Sequence, residues 1–229
     1  MSPPRLSLIV PMLDEAAGIA AALAALRPLA AEIVVVDGGS RDASPALAAP
    51  HADRVLSAPR GRARQMNAGA AAAGGDVLLF MHADTRLPAD ADRRVLAAID
   101  RGAVWGRFDV RIDGASRLFP LIGWLMNRRS RLTGIATGDQ AIFVRRDAFR
   151  AVGGFPEQPL MEDIALSAAL KRLGRPACLP GPAVTSGRRW EKHGVLRTVL
   201  LMWRLRLRYF FGASPAALAR DYGYAPDQP

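Results

Sequence analysis

The chain has 229 residues, half of them apolar, and its formal net charge at pH 7 is +10. That length suits one compact α/β domain that buries a core without staples, and a single cysteine, Cys178, excludes an internal disulfide. The positive charge favours anionic partners such as nucleoside diphosphates, acidic membranes or nucleic acid, with an inert basic surface as an equally weighted alternative.

No targeting or membrane-spanning segment is evident in the sequence. The apolar stretch 6–13 is short and runs directly into Asp14 and Glu15, which is unlike a secretory signal. The sequence has no run of 18 or more apolar residues, so no spanning helix is predicted. We therefore expect a cytoplasmic protein.

Short apolar runs alternate with helical stretches over the first 81 residues. The predicted strands are 6–10, 33–36, 55–56 and 77–81, and the predicted helices are 15–29, a short one from about 42, and 62–73. This alternation is typical of a mostly parallel sheet with helices on both faces, in which ligands bind at the carboxyl ends of the strands. The residues after the runs fall at those ends, and they include Glu15, Asp37, His82 and Asp84.

The second half is less regular. The predicted elements are a strand 104–112, a helix 118–126, a strand 141–144, a helix 164–173 and a basic apolar segment 195–211. The basic segment fits a helix, although the alternation over 204–208 also permits a strand. No low-complexity linker interrupts the chain, so a single domain over 1–229 is predicted.

Several polar residues can carry chemistry, and each also has a structural interpretation. Asp37 can accept hydrogen bonds from a base or a ribose, or it can cap the turn at Gly38 and Gly39. Arg62 and Arg64 can clamp phosphates, or they can be a solvated helix start.

Carboxylates in the two halves suggest two further roles. Asp84 can hold a hard cation such as Mg²⁺ together with diphosphate oxygens, or it can cap a loop. Glu162 and Asp163 can deprotonate an acceptor hydroxyl, or they can complement the dipole of the helix they begin. His82 fits a packed core histidine better than a ligand, whereas His193 is a late candidate metal ligand.

The segment 186–194 is the last candidate. Its residues Arg188, Arg189 and Trp190 can bind a diphosphate or stack on an acceptor, or they can form a basic loop with a packed tryptophan.

Taken in order, six segments resemble the motifs of glycosyltransferase family 2, most closely a bacterial subgroup of short, single-domain members. They read IVPMLDE, VVDGGSRD, ARQMNAG, GDVLLFMHADT, GGF and MEDIAL. Each motif is weak alone, whereas their order and spacing are specific. The resemblance implies a GT-A fold, that is, an α/β fold with a Rossmann-like, mostly parallel nucleotide-binding sheet flanked by helices. It divides the chain into a nucleotide-sugar-binding half (1–100), an acceptor-binding half (101–190) and a basic C-terminal helical segment (191–229).

The resemblance also implies roles for individual residues. Donor-binding residues would be Pro11, Glu15, Asp37, Arg62, Arg64, Asn67 and Asp84. Asp84 would coordinate Mg²⁺ or Mn²⁺, with His82 or His193 as additional candidates, and Asp37 would hold the base, which favours a UDP-sugar. Asp163 would be the general base, with Glu162 beside it. Acceptor-binding residues would be Asp139, Gln140, Gly154, Phe155, Arg189 and Trp190.

The sequence departs from the family pattern at two places. The metal motif reads His82-Ala83-Asp84, so its first carboxylate is missing. Ser186 replaces the glutamine of the motif found in processive members, although Arg189 and Trp190 match it. The resemblance thus implies a non-processive, inverting transfer of one sugar from a nucleoside-diphosphate donor to an unidentified acceptor.

On a helix over 195–211, Arg197, Arg204 and Arg208 share one face and most other faces are apolar. Such a helix suits an anionic membrane interface and a lipid-linked acceptor on the inner face of the cytoplasmic membrane. Packing on the sheet or in a homodimer interface is the alternative.

Two other functional classes fit parts of the sequence. A sugar-phosphate nucleotidyltransferase would carry a glycine-rich phosphate loop after its first strand, and the segment PMLDEAAG lacks one. A non-catalytic protein that binds membranes or nucleic acid would present a basic face with stacking aromatics. Because the arginines are scattered and acidic residues collect at the strand ends, no nucleic-acid partner is expected.

Overall fold

A computed structural model describes residues 4–224 of the chain. Residues 1–3 and 225–229, which belong to the predicted ranges 1–100 and 191–229, lie outside the described part. The division of the chain into three functional parts stays a prediction.

The centre of the fold is a sheet of seven strands in the order β3-β2-β1-β4-β6-β5-β7. The strands are β1 (Leu6–Met12), β2 (Ala31–Asp37), β3 (Arg54–Ser57), β4 (Val77–Phe80), β5 (Trp105–Asp113), β6 (Ile142–Arg145) and β7 (Ala177–Ser186). Only β6 runs antiparallel to its neighbours, β4 and β5. The predicted α/β fold with a mostly parallel sheet flanked by helices is therefore confirmed.

Helices connect the strands. Within residues 4–224 they are α1 (Ile19–Ala24), α2 (Ser44–Ala48), α3 (Arg62–Ala72), α4 (Ala91–Asp100), α5 (Phe119–Thr133), α6 (Arg146–Ala151), α7 (Glu162–Leu170), α8 (Arg188–His193), α9 (Val195–Phe210) and α10 (Pro215–Tyr222). Short 3-10 helices lie at Ala49–His51 and Gly138–Gln140. No helix in this part of the chain is long and apolar enough to cross a membrane.

The strand residues alternate between two apolar cores, one on each face of the sheet. In β1, Leu8 and Val10 belong to one buried cluster and Ile9 to the other. In β4, Leu79 belongs to the first of these clusters and Phe80 to the second. Because successive strand side chains point to opposite faces, a sheet covered on both sides requires continuous apolar runs, and the sequence supplies them.

The predicted helix 15–29 is wrong in extent, since α1 covers only six residues. Side chains of the segment 40–44, which follows β2, hold the residues before Ile19 out of α1. Ser40 accepts from the backbone N–H of Asp14, Ser44 from that of Glu15, and Asp42 from that of Ala16. These bonds tie the first loop to the second, so the helix begins late.

The structure decides one open prediction and adds one strand that was not predicted. The segment 195–211 forms α9, because its strand-like alternation lasts for only five residues. Strand β7 has no counterpart among the predicted strands, since Pro180, Gly181 and Pro182 interrupt its pattern. It pairs with β5 through an irregular register between Phe108 and Val110, which accommodates the interruption.

Candidate active site

The first loops of the site lie at the carboxyl ends of β1 and β2. Asp37, the last residue of β2, is buried, and its carboxylate accepts from the backbone N–H groups of Gly39 and Ser40 and from the Ser40 hydroxyl. It therefore closes a turn within its own loop. Pro11 is buried inside β1, where it pairs in register with Val36.

A small charged cluster follows β1 and β4. The guanidinium of Arg188 lies 4.0 Å from the Glu15 carboxylate and 3.9 Å from that of Asp84, and both carboxylates are about one-third exposed. Burial and the neighbouring Asp84 raise the pKa of Glu15, and Arg188 opposes that rise. Negative charge is thus concentrated at the sheet edge, where a cation would be stabilised.

Glu162 and Asp163 begin α7 and lie largely buried at the site. Burial and the adjacent Asp163 raise the pKa of Glu162 to about 7. Burial also raises the pKa of Asp163, whereas backbone N–H donors of Gly138 and Ile164, at 2.8 and 2.7 Å, favour its charged form. Both shifts are upward, so the pair gains its second negative charge only as the pH approaches neutrality.

His82 packs between these groups. The His82 ring packs so closely on Gly138 that a Cβ on residue 138 would clash with the ring. The His82 Nδ1 lies 3.7 Å from the Asp139 carboxylate. Burial and the nearby Arg62 lower the pKa of His82 to about 4, so the imidazole is neutral at neutral pH. Asp139 also accepts from the Thr185 hydroxyl at 3.2 Å.

Most of these side chains line one cavity of about 500 Å³. Of the residues predicted for the site, it is lined by Arg62, His82, Asp84, Asp139, Glu162, Asp163, Arg189 and Trp190. Arg62 lies 3.9 Å from the Glu162 carboxylate. Arg62, the carboxylates of Glu162 and Asp163, and the Asp84 carboxylate thus surround one cavity. This arrangement suits the removal of a proton from a hydroxyl beside an anionic leaving group.

The other predicted residues lie outside that cavity lining. Arg64 is exposed and pairs with Glu157 at 3.3 Å, and His193 is exposed in α8. Gln140 is buried in a capping box with Thr137. The described contacts therefore do not bring His193 to Asp84, while Glu15 approaches Asp84 through their shared partner Arg188.

Asn67 holds the loop that contains Gly154 and Phe155. Its amide donates to the Phe155 carbonyl at 2.8 Å and accepts from the Phe155 N–H at 2.9 Å. The Phe155 ring packs on Phe80 and Phe149. Gly154 has a φ of +75°, and a Cβ there would lie 2.8 Å from the Asn67 oxygen. Both polar ends of Asn67 are thus used within the protein.

Asn67→Ala should lower the free energy of unfolding by about 1–3 kcal/mol, because two part-buried backbone groups lose their partner. Urea denaturation measures the change. Asn67→Asp keeps the acceptor for the Phe155 N–H but places a carboxylate oxygen against the Phe155 carbonyl oxygen, so it should also destabilise the protein near neutral pH. A loss below about 0.5 kcal/mol for the alanine variant would contradict this structural role.

The comparisons with known proteins agree with this architecture. The model of the family described as Glycosyl transferase family 2 matches residues 7–153, which is more than half of the chain. This chain belongs to glycosyl transferase family 2. The predictions of family, fold class and enzyme class are therefore confirmed. The family match also argues against a nucleotidyltransferase.

Solved structures share the fold at low sequence identity. S. aureus TarS 1-349 is 17% identical, with a TM-score of 0.65 over 80% of this chain and 60% of that chain. A mannosyltransferase from Pyrobaculum calidifontis, solved with GDP-Man and Mn²⁺, is 21% identical, with a TM-score of 0.64 over 96% and 69%. Glucosyl-3-phosphoglycerate synthase from Mycobacterium tuberculosis, solved with Mg²⁺ and UDP, is 20% identical, with a TM-score of 0.59 over 80% and 70%.

The chain spans less than two thirds of the TarS chain, and a comparison with curated proteins finds no significant match.

The structure adds residues that sequence reasoning did not assign to the site. The cavity is also lined by Arg129 of α5, by Met202 and Arg206 of α9, and by Tyr222 of α10. The Arg189 guanidinium lies 3.8 Å from the centre of the Tyr222 ring, so α10 is held near the cavity. These helices carry none of the family motifs, and only their packing reveals that they form walls of the candidate site.

Proposed function

We propose that this enzyme transfers one sugar from a nucleoside diphosphate to an acceptor hydroxyl, by a single displacement that inverts the anomeric centre. The observation that supports it is that Asp84, in the loop after β4, and Asp163, at the start of α7, line one cavity. Asp84 would help to stabilise the leaving diphosphate through a bound cation, and Asp163 would accept the proton of the attacking oxygen.

In this mechanism, Asp163 removes the proton of the acceptor hydroxyl. The oxygen attacks the anomeric carbon, the bond between that carbon and the diphosphate oxygen breaks, and the nucleoside diphosphate leaves with its electron pair. The N–H groups of Gly138 and Ile164 favour the charged form of Asp163 and orient its carboxylate before the reaction. Arg62 and Arg188 provide positive charge beside the leaving group.

A divalent metal ion fits the site if the diphosphate of the donor supplies most of its ligands. The described residues contain no cluster of three or more His, Cys, Asp or Glu side chains that could form a complete cage. Asp84 and Glu15 are partly exposed, and their mutual repulsion favours a cation. Mg²⁺ and Mn²⁺ suit such a site, because they take carboxylate and phosphate oxygens together with water. When bound, the ion would neutralise charge on the diphosphate.

The solved neighbours support this metal and donor class. The titles of their structures name UDP-GlcNAc, GDP-Man with Mn²⁺, and UDP with Mg²⁺ for those proteins. For this chain we propose a nucleoside-diphosphate sugar with Mg²⁺ or Mn²⁺, and a UDP-sugar as the first donor to test.

Donor turnover tests the proposed function. Purified protein is incubated with UDP-, GDP- and dTDP-sugars, Mn²⁺ and a total lipid extract as the acceptor source, and released nucleoside diphosphate is measured. We expect turnover of donors with one base, which a chelator removes, and a product of inverted anomeric configuration by NMR. Sugar 1-phosphate formed only with pyrophosphate would indicate nucleotidyl transfer instead.

We further propose that the acceptor side of the enzyme docks on an anionic membrane. The outer face of α9 exposes an apolar stripe with helical spacing, formed by Leu196, Leu200, Trp203, Leu207 and Phe210. Arg197 and Arg204 on the same helix are exposed and suit anionic headgroups. Leu121, Trp124 and Leu125 of α5 are also exposed. Leu125 and Trp203 both line the cavity, so an apolar surface continues into the site.

Flotation with anionic vesicles tests this docking. Leu200→Glu combined with Trp203→Glu should reduce the vesicle-bound fraction by tenfold or more, since each apolar side chain contributes about 1.5–3 kcal/mol when buried. Leu173→Glu is the matched control, because Leu173 is exposed but lies beyond the end of α7. Equal binding by all three proteins would contradict the proposal. Concentration-dependent dimers that the double variant loses, without flotation, would assign the stripe to a homodimer.

A further inference from the structure

Arg129 of α5 differs from its neighbours in having no protein partner for part of its side chain. Its Nε and Nη2 atoms are buried and make no hydrogen bond to any described residue. By contrast, Arg131 forms a two-pronged pair with Asp109 at 2.6 and 2.7 Å, and the Arg128 guanidinium lies 5.5 Å from the Trp124 ring. Arg129 is therefore the arginine in this run whose donors are left for another ligand.

Arg206 of α9 is in a comparable situation. It is partly buried, and burial alone lowers its pKa, with no nearby carboxylate opposing the change. No described acidic side chain lies within 4 Å of its guanidinium, whereas Arg208, half a turn further on, pairs with Asp221. A buried cation without a partner is costly, and such a cation is usually compensated by an anion.

Arg129 and Arg206 line the same cavity from two different helices. Their helices do not follow the β1, β2 or β4 ends, where Glu15, Asp37 and Asp84 lie. The carboxylates nearest the chemistry already have cationic neighbours, since Glu162 faces Arg62 and Asp84 faces Arg188. The two unpaired arginines are thus available to a group other than the protein's own acids.

We propose that Arg129 and Arg206 form an anion subsite that binds a phosphate on the acceptor, separate from the hydroxyl that attacks the sugar. This inference rests on the proposed function and specifies its acceptor class. Guanidinium groups bind phosphate oxygens through paired hydrogen bonds, which favours a phosphate over a single carboxylate. The acceptor phosphate enters as an anion and leaves unchanged, because the new bond forms at the hydroxyl that faces Asp163.

The cavity walls indicate what accompanies the phosphate. Ile122 and Met126 of α5, with Val199 and Met202 of α9, line the same space. Met126 and Ile122 lie one and two helical turns before Arg129, and Met202 and Val199 lie one and two turns before Arg206. Trp203 of the exposed apolar stripe lines the cavity as well. An alkyl chain attached near the phosphate would lie along these side chains, so a lipid phosphate fits better than a small soluble phosphate.

Three matched compounds test the subsite by calorimetry, below their micellar concentrations and with saturating UDP and Mn²⁺ to block the donor site. They are 1-O-octylglycerol 3-phosphate, glycerol 3-phosphate and 1-O-octylglycerol. We expect the first to bind best, and Arg129→Met and Arg206→Met each to weaken it by about tenfold or more. Arg129→Lys should restore part of the affinity. The methionine variants should melt no lower than the wild type, since each loses a partly buried charge that has no acidic partner among the described residues.

Each outcome bears on the proposal. Arginine-dependent binding of glycerol 3-phosphate at equal affinity would retain the subsite and assign it to a soluble phosphorylated acceptor. Unchanged binding of all three compounds in the methionine variants would overturn it. Tight binding of octylglycerol alone would also overturn it, and so would a clear loss of stability in Arg129→Met. Failure of UDP and Mn²⁺ to bind would instead count against the proposed donor site.

Discussion

Asp163→Asn should reduce the rate of sugar transfer by about 10³-fold while leaving nucleotide affinity within about twofold of wild type. The carboxylate belongs to a largely buried pair and accepts hydrogen bonds from the N–H groups of Gly138 and Ile164 at the start of α7. Asparagine keeps the size of the side chain but cannot take a proton from the acceptor. Single-turnover release of nucleoside diphosphate and UDP calorimetry separate the two effects.

The pH dependence supplies a matched control. Because burial and Asp163 raise the pKa of Glu162 to about 7, the pair gains its second charge only as the pH rises through neutrality. We expect wild-type activity to increase over that range. Glu162→Gln removes the neighbouring titration and should move the rise to lower pH without abolishing transfer. Normal turnover by Asp163→Asn, with the fold verified by circular dichroism, would exclude Asp163 as the base.

Asp84→Asn should lower the affinity for UDP in Mn²⁺ by at least about tenfold, or 1.4 kcal/mol. The carboxylate follows β4, lines the cavity and carries the negative charge that attracts a cation to this edge of the sheet. With a chelator present, wild type and variant should bind UDP equally weakly.

Asp90→Asn is the control for a general loss of negative charge. Asp90 is an acidic residue of the same region, but its carboxylate is engaged with Arg94 at 2.7 Å. Its substitution should leave metal-dependent UDP binding unchanged. Equal affinity of Asp84→Asn and wild type in Mn²⁺ would show that the metal, if bound, is held elsewhere.

The sheet and the ends of its strands could be predicted because their signal is local. Continuous apolar runs such as Ile33 to Val36 require burial on both faces, and Asp37, His82 and Asp84 follow these runs in the chain. The family motifs then specify the fold by their order. Asp84 and the Glu162–Asp163 pair, from opposite halves of the sequence, do line one cavity.

Other features depend on contacts between distant segments and have no local signal. The short extent of α1 results from hydrogen bonds to Ser40, Asp42 and Ser44. Asn67, expected beside the nucleotide, binds the backbone of Phe155, 88 residues away. Arg129 belongs to an arginine-rich run in which only tertiary structure separates the paired side chains from the unpaired one.

Thermal melting against nucleoside diphosphates, with and without Mn²⁺, tests most directly that this cavity edge is a metal-assisted donor site. A ligand at a hundredfold excess over its dissociation constant adds about 2.7 kcal/mol of stability, or roughly 5–10 °C for a domain of this size. We predict such a rise with one nucleoside diphosphate, present with Mn²⁺ and lost with a chelator. No shift with any nucleotide in the presence of Mn²⁺ would contradict the account.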